Sequence, residues 1–345
     1  MGCYDSDHTE MSAKLAAVSQ ERDALRAAAR KEETVVIYDK LGNPNVMRRI
    51  PRITNRELFG GSDRAHRAFI IGGVEYDEIY LPVYDGSMIG DVLCSLPYQK
   101  PATGLTLEQM EEACWKKGEG WHLMTGAEWG LVADMSLMRG TLPHGNTDCG
   151  KYHADHTEKG VSFDGWRTLT GSGPAAWTHN HQADGIHDLC GNVWNRLRGL
   201  RLHKGKIQTA ANNDAALPID LSENGTAWVD LLSEAGRPLF MGPEAGVIGI
   251  GTTDTYKGWD GCRWKDAIFH AGITEEMREL ALFDGEPNAG LYADGEEEDM
   301  CAYRGGNWNN GTNAGVFNLY FNNPRSNSND YIGGRPAYFK KKTDN

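Results

Sequence analysis

The pattern of apolar positions divides the chain into a short helical segment and a much longer strand-rich region. Residues 11–33 contain neither Gly nor Pro and are dominated by Ala, Leu, Glu, Lys and Arg, which favours a helix. Its apolar residues follow a rough 4,3 spacing, interrupted at Arg22, and are Met11, Leu15, Val18, Leu25 and Ala29. About three heptads are few for a self-sufficient coiled coil. We therefore predict residues 1–33 to be a stalk, an anchor, an oligomerising helix or a plain leader helix.

Residues 34–345 are predicted to be a separate domain in which strands outnumber helices. The stretch TVVIYDK from Thr34 onward is typical of a strand, and Gly72-Gly73 within an alternating apolar stretch indicates a hairpin turn. Two helices are predicted from a Thr followed three residues later by Gln or Glu and then by a terminating Gly. These signals are Thr106, Gln109 and Gly118 in the first helix, and Thr125, Glu128 and Gly140 in the second.

Beyond residue 140 the sequence consists of turn-forming residues and short apolar runs, and it predicts one further short helix near TEEMRELALF. We therefore predict an α+β fold with few helices and much irregular structure. The composition of 42 Gly and 10 Trp agrees, because Gly allows tight turns and Trp supplies large buried surfaces.

Charge and hydropathy exclude several classes of function. The formal net charge is −13 and no basic stripe is present, so a nucleic-acid partner is not expected. No apolar run is long enough for a membrane span, and the N-terminus has no apolar core typical of a classical signal peptide. Gly2 and Ser6 fit a myristoylation pattern, which we weigh below a plain solvated end.

Metal and cofactor sites are not predicted. The histidines between residues 153 and 187 have spacings of two and three, but no organising metal motif accompanies them. The acidic stretch 284–299 is interpreted as a solvated loop, with calcium binding as the alternative. The seven cysteines are scattered without a CxxC pair, which favours reduced thiols.

Three sequence motifs, taken in order, carry a resemblance to a known family. They are GWHLMTGAEWGLVA at 120–133, DGIHDLCGNVWNRLRGLRL at 184–202, and YRGGNWNNG followed by AGVF and GGRPAY within 303–338. The series resembles the formylglycine-generating-enzyme-like (sulfatase-modifying-factor) branch of the C-type lectin fold. The resemblance implies that this fold extends over most of the domain.

Several residues of these motifs are predicted to form the scaffold. Trp129 on an amphipathic helix and Trp194 after a Gly-Asn turn are candidates for a buried aromatic core. Arg304 and Arg335 bracket the last motif, and an arginine fork can hold several backbone carbonyls at once. The resemblance adds four residues with inward or turn-forming roles, namely Gly305, Gly306, Trp308 and Phe317.

The chain departs from the enzymes of that family. Those enzymes use two cysteines after the RGG motif, whereas no cysteine lies between Arg304 and Tyr338. Asn195 stands where the family's core motif has a glutamate. Copper-dependent oxidation through cysteine is therefore not supported, and the protein is predicted not to be an enzyme.

Asparagine is concentrated in a single window of the chain. Nine asparagines occur in the 23 positions from Asn307 to Asn329, against twelve in the other 322 residues. The window resembles the variable region of diversity-generating-retroelement proteins. In those systems a template copy of the region is reverse-transcribed with errors that are confined to its adenines. Asn codons begin with two adenines, so these positions can change into many residue types. Tyr320, Asp330 and Tyr331 are interpreted as positions already altered.

The resemblance implies a variable region over about 303–338 that binds a ligand. Its predicted variable positions are Asn307, Asn309, Asn310, Asn313, Asn318, Tyr320, Asn322, Asn323, Asn327, Asn329, Asp330 and Tyr331. The expected partner is a protein or glycan receptor on a target cell, reached from a phage tail-fibre tip. The alternative is a bacterial surface or secreted binding protein of the same type. The N-terminal helix would contact other virion proteins or form a homo-oligomer.

Overall fold

The computed structural model describes residues 31–342. The predicted helix over residues 11–33 lies outside these residues except for its last three, as do Gly2 and Cys3. Those last three positions are not helical, because Lys31 and Glu32 precede a strand that begins at Glu33. The helical prediction is therefore wrong at its C-terminal boundary.

Strands dominate the described part of the chain, which confirms an α+β fold with few helices. It contains four α-helices: α1 Asn55–Phe59, α2 Leu107–Trp115, α3 Gly126–Arg139 and α4 Glu275–Glu279. Its strands are β1 Glu33–Tyr38, β2 Pro44–Pro51, β3 Ile70–Ile71, β4 Val74–Glu75, β5 Glu78–Pro82, β6 Gly86–Ile89, β7 Val92–Ser95, β8 Trp121–Leu123, β9 Lys151–Tyr152, β10 Asp155–Lys159, β11 Trp194–His203, β12 Lys206–Thr209, β13 Val229–Asp230, β14 Phe240–Glu244, β15 Val247–Gly251, β16 Trp259–Arg263, β17 Ile268–Phe269, β18 Gly290–Asp294, β19 Met300–Gly305, β20 Gly315–Phe321, β21 Ile332–Gly333 and β22 Pro336–Tyr338. None of the helices in this part is long and apolar enough to cross a membrane.

The helix signals in the sequence are confirmed except for the stop at Gly118, since α2 already ends at Trp115. Both predicted capping boxes are present, with Thr106 at the start of α2 and Thr125 at the start of α3. Each cap satisfies backbone N–H groups that a helix leaves without intrahelical partners, and such a cap typically contributes about 1 kcal/mol. Gly140 ends α3 in the left-handed conformation, at φ 67°. The short helix near residue 275 and the hairpin at Gly72-Gly73 are also present.

Two sheets provide the frame of the domain. The first has five strands in the order β1-β2-β5-β22-β8, so the C-terminal strand β22 lies between two strands from the first half of the chain. The second has eleven strands, nine of them in the order β16-β18-β20-β19-β11-β12-β14-β15-β17. Strand β20, which lies inside the Asn-rich window, is therefore flanked on both sides, parallel to β18 and antiparallel to β19.

The main core joins the two sheets through helix α3. Every residue from Gly126 to Ser136 is buried, and this apolar helix packs in one cluster with Leu81 of β5, Leu197 of β11 and Phe317 of β20. Such apolar burial is the principal stabilising contribution in a domain of this size. The window is thus attached at β20 to the most deeply buried part of the protein.

Candidate ligand-binding face

The Asn-rich window consists of two loops joined by one buried strand. Gly305 and Gly306, at φ 90° and 86°, lead out of β19 into a loop that contains a 3-10 turn over Gly311–Asn313. The chain then re-enters the sheet as β20 and leaves it again into the loop 322–331 before β21. The window therefore has a fixed centre and two peripheral segments.

Buried polar side chains hold the first loop and the strand. The guanidinium of Arg304, fully buried, donates to the carbonyls of Leu280, Ala281 and Phe317 at 2.6–3.2 Å. The indole N–H of Trp129 donates to the carbonyl of Val316 at 2.8 Å. These bonds help to satisfy backbone carbonyls inside the core, and the carbonyl of Phe317 also accepts from the indole N–H of Trp264 at 2.7 Å. Arg304 thus makes the multiple carbonyl contacts that its side chain permits.

Arg335 and Asn195 form a second buried brace under the window. Arg335 Nε donates to Asn195 Oδ1 at 2.9 Å, and its Nη2 lies 2.7 Å from a carboxylate oxygen of Asp85. Burial raises the pKa of Asp85 to about 7, although the neighbouring Arg335 opposes that rise. Asn195 lies four residues after the turn at Gly191 and holds the guanidinium of Arg335 through its side-chain oxygen. That turn requires a glycine, because Gly191 has φ 72° and a Cβ would lie 2.0 Å from the carbonyl of Asn146.

Two arginines that the sequence analysis did not single out hold the loop 322–331. Arg196 on β11, fully buried, donates to the carbonyls of Pro324 and Asn327, each at 3.1 Å. Arg325, inside the window, is paired with the buried carboxylate of Asp299, and its Nη2 lies 3.2 Å from that group. For Arg196 the run RLRGLRL in β11 was the available sequence signal, because arginines that alternate with apolar residues in a strand are buried and need hydrogen-bond partners. The loop therefore has a fixed backbone although its side chains reach the surface.

The predicted variable positions differ in exposure. Ten of the twelve are exposed or half-buried: Asn309 and Asp330 are exposed, and Asn310, Asn313, Tyr320, Asn322, Asn323, Asn327, Asn329 and Tyr331 are half-buried. Several are linked to each other, as Asn329 Nδ2 donates to the Tyr331 hydroxyl at 2.7 Å and Asn323 Nδ2 donates to Asn322 Oδ1 at 2.9 Å. These positions lie on β20 and on the two loops that flank it.

Two of the predicted variable positions, Asn307 and Asn318, are buried, whereas Asn318 was expected to face outward. Asn318 is fully buried in β20, where its side-chain amide donates to the carbonyl of Asn313 because the 3-10 turn folds back over it. Asn307 is 8% exposed, and its backbone N–H donates to Asn310 Oδ1 at 2.7 Å. Asn318 and Asn307 are therefore parts of the turn structure that shapes the face.

Trp308 is half-buried, contrary to the expectation of a core residue. Its backbone is fixed, since its carbonyl accepts from Cys149 N at 2.8 Å, while its ring lies on the surface side of the loop. The ring centroid lies 5.7 Å from the guanidinium of Arg167 and 6.1 Å from the ring of Tyr331. Together with Trp166, Arg167 and Asp330 it lines a cavity of about 260 Å³. Trp308 is thus placed for surface contact.

A row of aromatic rings crosses the sheet beside the window. We call Trp194, Tyr320, Tyr292 and Trp259 the aromatic band. Successive ring centroids are 4.5 Å apart for Trp194 and Tyr320, 5.2 Å for Tyr320 and Tyr292, and 5.5 Å for Tyr292 and Trp259. The band runs from a ring that is 4% exposed at Trp194 to one that is 66% exposed at Trp259. Aromatic pairs at such distances attract beyond the effect of area alone.

Three members of the band lie outside the Asn-rich window, and two of them, Tyr292 and Trp259, were missed by the sequence analysis. Tyr292 on β18 pairs in parallel register with Tyr320 on β20, and Trp259 lies on β16, which pairs with β18. No local sequence pattern predicts that these rings align, because the alignment depends on strands paired across distant parts of the chain. The face is thus larger than the window.

The histidines between residues 153 and 187 have separate partners. His153 bonds to Thr147, His156 to Asp148, and His181 to the carbonyl of Leu142. His179 Nε2 lies 3.1 Å from Glu32 Oε2, and burial lowers the pKa of His179. Within residues 31–342, no group of three or more His, Cys, Asp or Glu side chains is arranged to hold a metal ion.

Comparison with known proteins gives little guidance. No known protein family matches the chain, and no curated protein matches it. A solved structure described as Major Tropism Determinant P3c Variant is similar at 12% identity, with a TM-score of 0.31. The alignment covers 88% of this chain and 71% of that one. Similarity at this level indicates neither a fold family nor a function for this chain.

Proposed function

We propose that residues 34–345 form a C-type-lectin-like domain of the formylglycine-generating-enzyme-like branch that displays a diversified ligand-binding face. The observation that carries the proposal is the contrast within the window. Its backbone is held by buried groups such as Arg196 and Arg304, whereas most of its Asn and Tyr side chains reach the surface. Side chains in such positions can change without loss of the fold.

The composition of this face suits recognition of a receptor. Tyr320, Tyr331 and Trp308 supply broad, rigid contact area, and the surrounding asparagines supply both donors and acceptors. Interfaces usually depend on a few aromatic anchors of this kind within a polar rim. A protein or glycan receptor on a target cell is the partner that we propose.

The cysteine nearest to the RGG motif supports a role in binding rather than oxidation. Cys301 is 1% exposed, and burial raises its pKa to about 12. A thiol with that pKa is protonated at neutral pH, and the thiolate is the form that reacts and binds metals. Cys301 is therefore suited to packing in β19.

We propose a location at the tip of a phage tail fibre. In this arrangement residues 1–33 attach the domain to other virion proteins or to further copies of the chain. A bacterial surface or secreted binding protein of the same type is the alternative, since the binding face would be the same. The two differ in which cell carries the receptor.

The DNA around the gene tests the proposal directly. We expect a near-copy of the codons for about residues 303–338 close to a reverse-transcriptase gene, with mismatches at adenines of that copy. The burial of Asn318 sharpens the test, because natural variants at codon 318 should be rarer than at codon 309. The absence of such a copy, or mismatches spread over all four bases, would remove diversification and leave a binding protein of fixed specificity.

A further inference from the structure

We propose that the cavity beside Tyr292 and Tyr320 of the aromatic band is a subsite for one pyranose ring of a neutral glycan. The cavity measures about 560 Å³ and is lined by Tyr292, Tyr320, Arg263, Asp266 and Asn313, among others. The inference rests on the proposed function, because Tyr320 and Asn313 belong to the variable window. It adds a ligand class, together with residues outside that window which would supply affinity whatever the window contains.

The rings in this cavity lie against glycines on the neighbouring strands. A Cβ on Gly261 would come within 2.3 Å of the Tyr292 ring, and one on Gly290 within 3.1 Å of the Tyr320 ring. The absence of side chains at these two positions allows each ring to lean across the sheet. Tyr292 and Tyr320 are both half-buried, so each ring packs on the protein and still presents surface to a ligand.

Polar groups of three different kinds border the rings. Arg263 at the end of β16 donates from Nη2 to the hydroxyl of Thr312 at 3.0 Å, which connects this rim to the first loop of the window. Asp266 supplies an exposed carboxylate, and Asn313 supplies an amide from the window itself. Donors and acceptors are therefore available within the same cavity.

A pyranose ring has the complementary surface. Its axial C–H groups form an apolar face that can pack against an aromatic ring, while its hydroxyls project sideways and both donate and accept hydrogen bonds. The cavity volume falls within the range of small-ligand sites, about 300–1,000 Å³. The net charge of −13 disfavours a strongly acidic polysaccharide, so the class that we infer is a neutral sugar.

An extended peptide fits this end of the face less well. Peptide strands bind by adding to the open edge of a sheet. Strand β16 ends the path of the large sheet, but Gly246 and Val247 of the β14–β15 hairpin line the cavity beside it. A compact ring is therefore favoured over a strand, and protein recognition becomes an outcome of the test.

The test uses the purified full-length chain and a set of methyl glycosides, namely those of glucose, galactose, mannose, rhamnose and N-acetylglucosamine. Saturation-transfer NMR should detect binding of at least one of them. Tyr292→Ser should weaken that binding about tenfold, as expected for a lost ring contact, because Tyr292 lines the cavity. Tyr38→Ser is the matched control, because Tyr38 is 67% exposed and lies on β1 of the five-stranded sheet. It should bind the sugar as the parent does.

The outcomes separate this inference from the proposed function. If none of the glycosides binds, or if Tyr292→Ser binds as well as the parent, the sugar subsite is wrong. Binding to whole target cells that survives periodate oxidation of the cell-surface sugars but not proteinase treatment of the cells would also overturn it, in favour of a protein ligand. None of these results affects the proposed diversification, which depends on the DNA copy. Conversely, sugar binding without such a copy would leave the subsite and remove only diversification.

Discussion

Arg196 Nη2 donates to the carbonyl of Asn327 across 3.1 Å, joining a strand of the core to the middle of the Asn-rich window. The same guanidinium holds the carbonyl of Pro324 and lies 5.4 Å from the centroid of the Tyr303 ring. A single fully buried cation thus fixes the path of a surface loop whose side chains reach solvent. Arg196 therefore anchors the backbone of this loop from within the core.

Replacing Arg196 should release the loop. In Arg196→Leu the carbonyl of Asn327 loses the guanidinium donor, and the carbonyl of Pro324 keeps only the backbone N–H of Asn327. A carbonyl left without a partner costs about 1–3 kcal/mol. We expect faster amide hydrogen exchange over residues 322–331 than over β11. Exposed Arg237 provides the control, since Arg237→Leu should leave that exchange unchanged. Equal protection of the loop in both variants would show that Arg196 is not its anchor.

The two tryptophans predicted as core residues should now differ in their effect on stability. Trp194 is 4% exposed and packs against Tyr303 and Tyr320, so Trp194→Ala should lower the free energy of unfolding by about 3–5 kcal/mol. Trp308 is half-buried, and Trp308→Ala should cost clearly less while weakening ligand binding. Denaturant unfolding of both variants measures the difference. Equal losses would contradict the surface assignment of Trp308.

The sequence was informative where local chemistry decides the structure. The capping boxes at Thr106 and Thr125 were recognised because every residue that forms the cap lies within four positions. The cap at Thr54, paired with Glu57, carries the same signal and was overlooked, since the helix that it starts has only five residues. Amino-acid composition and short motifs thus predicted the α+β class.

The rest of the site depends on contacts between distant segments. Asn318 looks like any other asparagine of the window, and only the turn over Gly311–Asn313 decides that it is buried. Likewise, Trp259 joins the aromatic band only through the register of β16, β18 and β20. Alternation within one strand indicates which side chains share a side of the sheet, but not which strands are neighbours.

Glu286 should make stability fall as the pH rises through the neutral range. Burial raises its pKa to about 7 from 4.5, although its carboxylate accepts a hydrogen bond from Phe317 N at 3.2 Å. Between these two values the folded protein keeps a proton that the unfolded chain has released, so the free energy of unfolding declines with pH. Glu286→Gln should remove this decline and exceed the parent in stability above pH 7. Parallel pH profiles for the two proteins would show that Glu286 does not contribute.

Glu32 should have the opposite effect at acidic pH. Burial tends to raise its pKa, but hydrogen bonds from His179 and Arg139 dominate and lower it to about 2 from 4.5. Its contribution is therefore present above pH 4.5 and is lost as the pH falls toward 2, on the order of 3 kcal/mol. Glu32→Gln should be less stable than the parent at pH 5, and the gap should close near pH 2. A gap that persists unchanged to pH 2 would contradict the assignment.

The binding face itself is tested by exchanging exposed and half-buried side chains together. Asn309, Asn322, Asp330 and Tyr331 all reach the surface, and exposed substitutions usually change stability by no more than about 0.5 kcal/mol each. Replacing the four with Ser or Ala should leave the unfolding midpoint nearly unchanged and abolish binding to the cognate cell surface. Tyr331 should account for the largest single loss of binding, because aromatic anchors dominate most interfaces.

Two matched changes show whether the loss of stability depends on the position of a residue or on its type. Asn318→Ala removes the same kind of side chain as Asn309→Ala, but the amide of Asn318 is fully buried and braces Asn313. It should therefore lower the free energy of unfolding by about 1–3 kcal/mol, as expected when a buried carbonyl loses its donor. Phe317→Ala, within the core of β20, should cost about 3–5 kcal/mol. If the fourfold exchange unfolds the protein, or if cells still bind it as before, the window is not the recognition face.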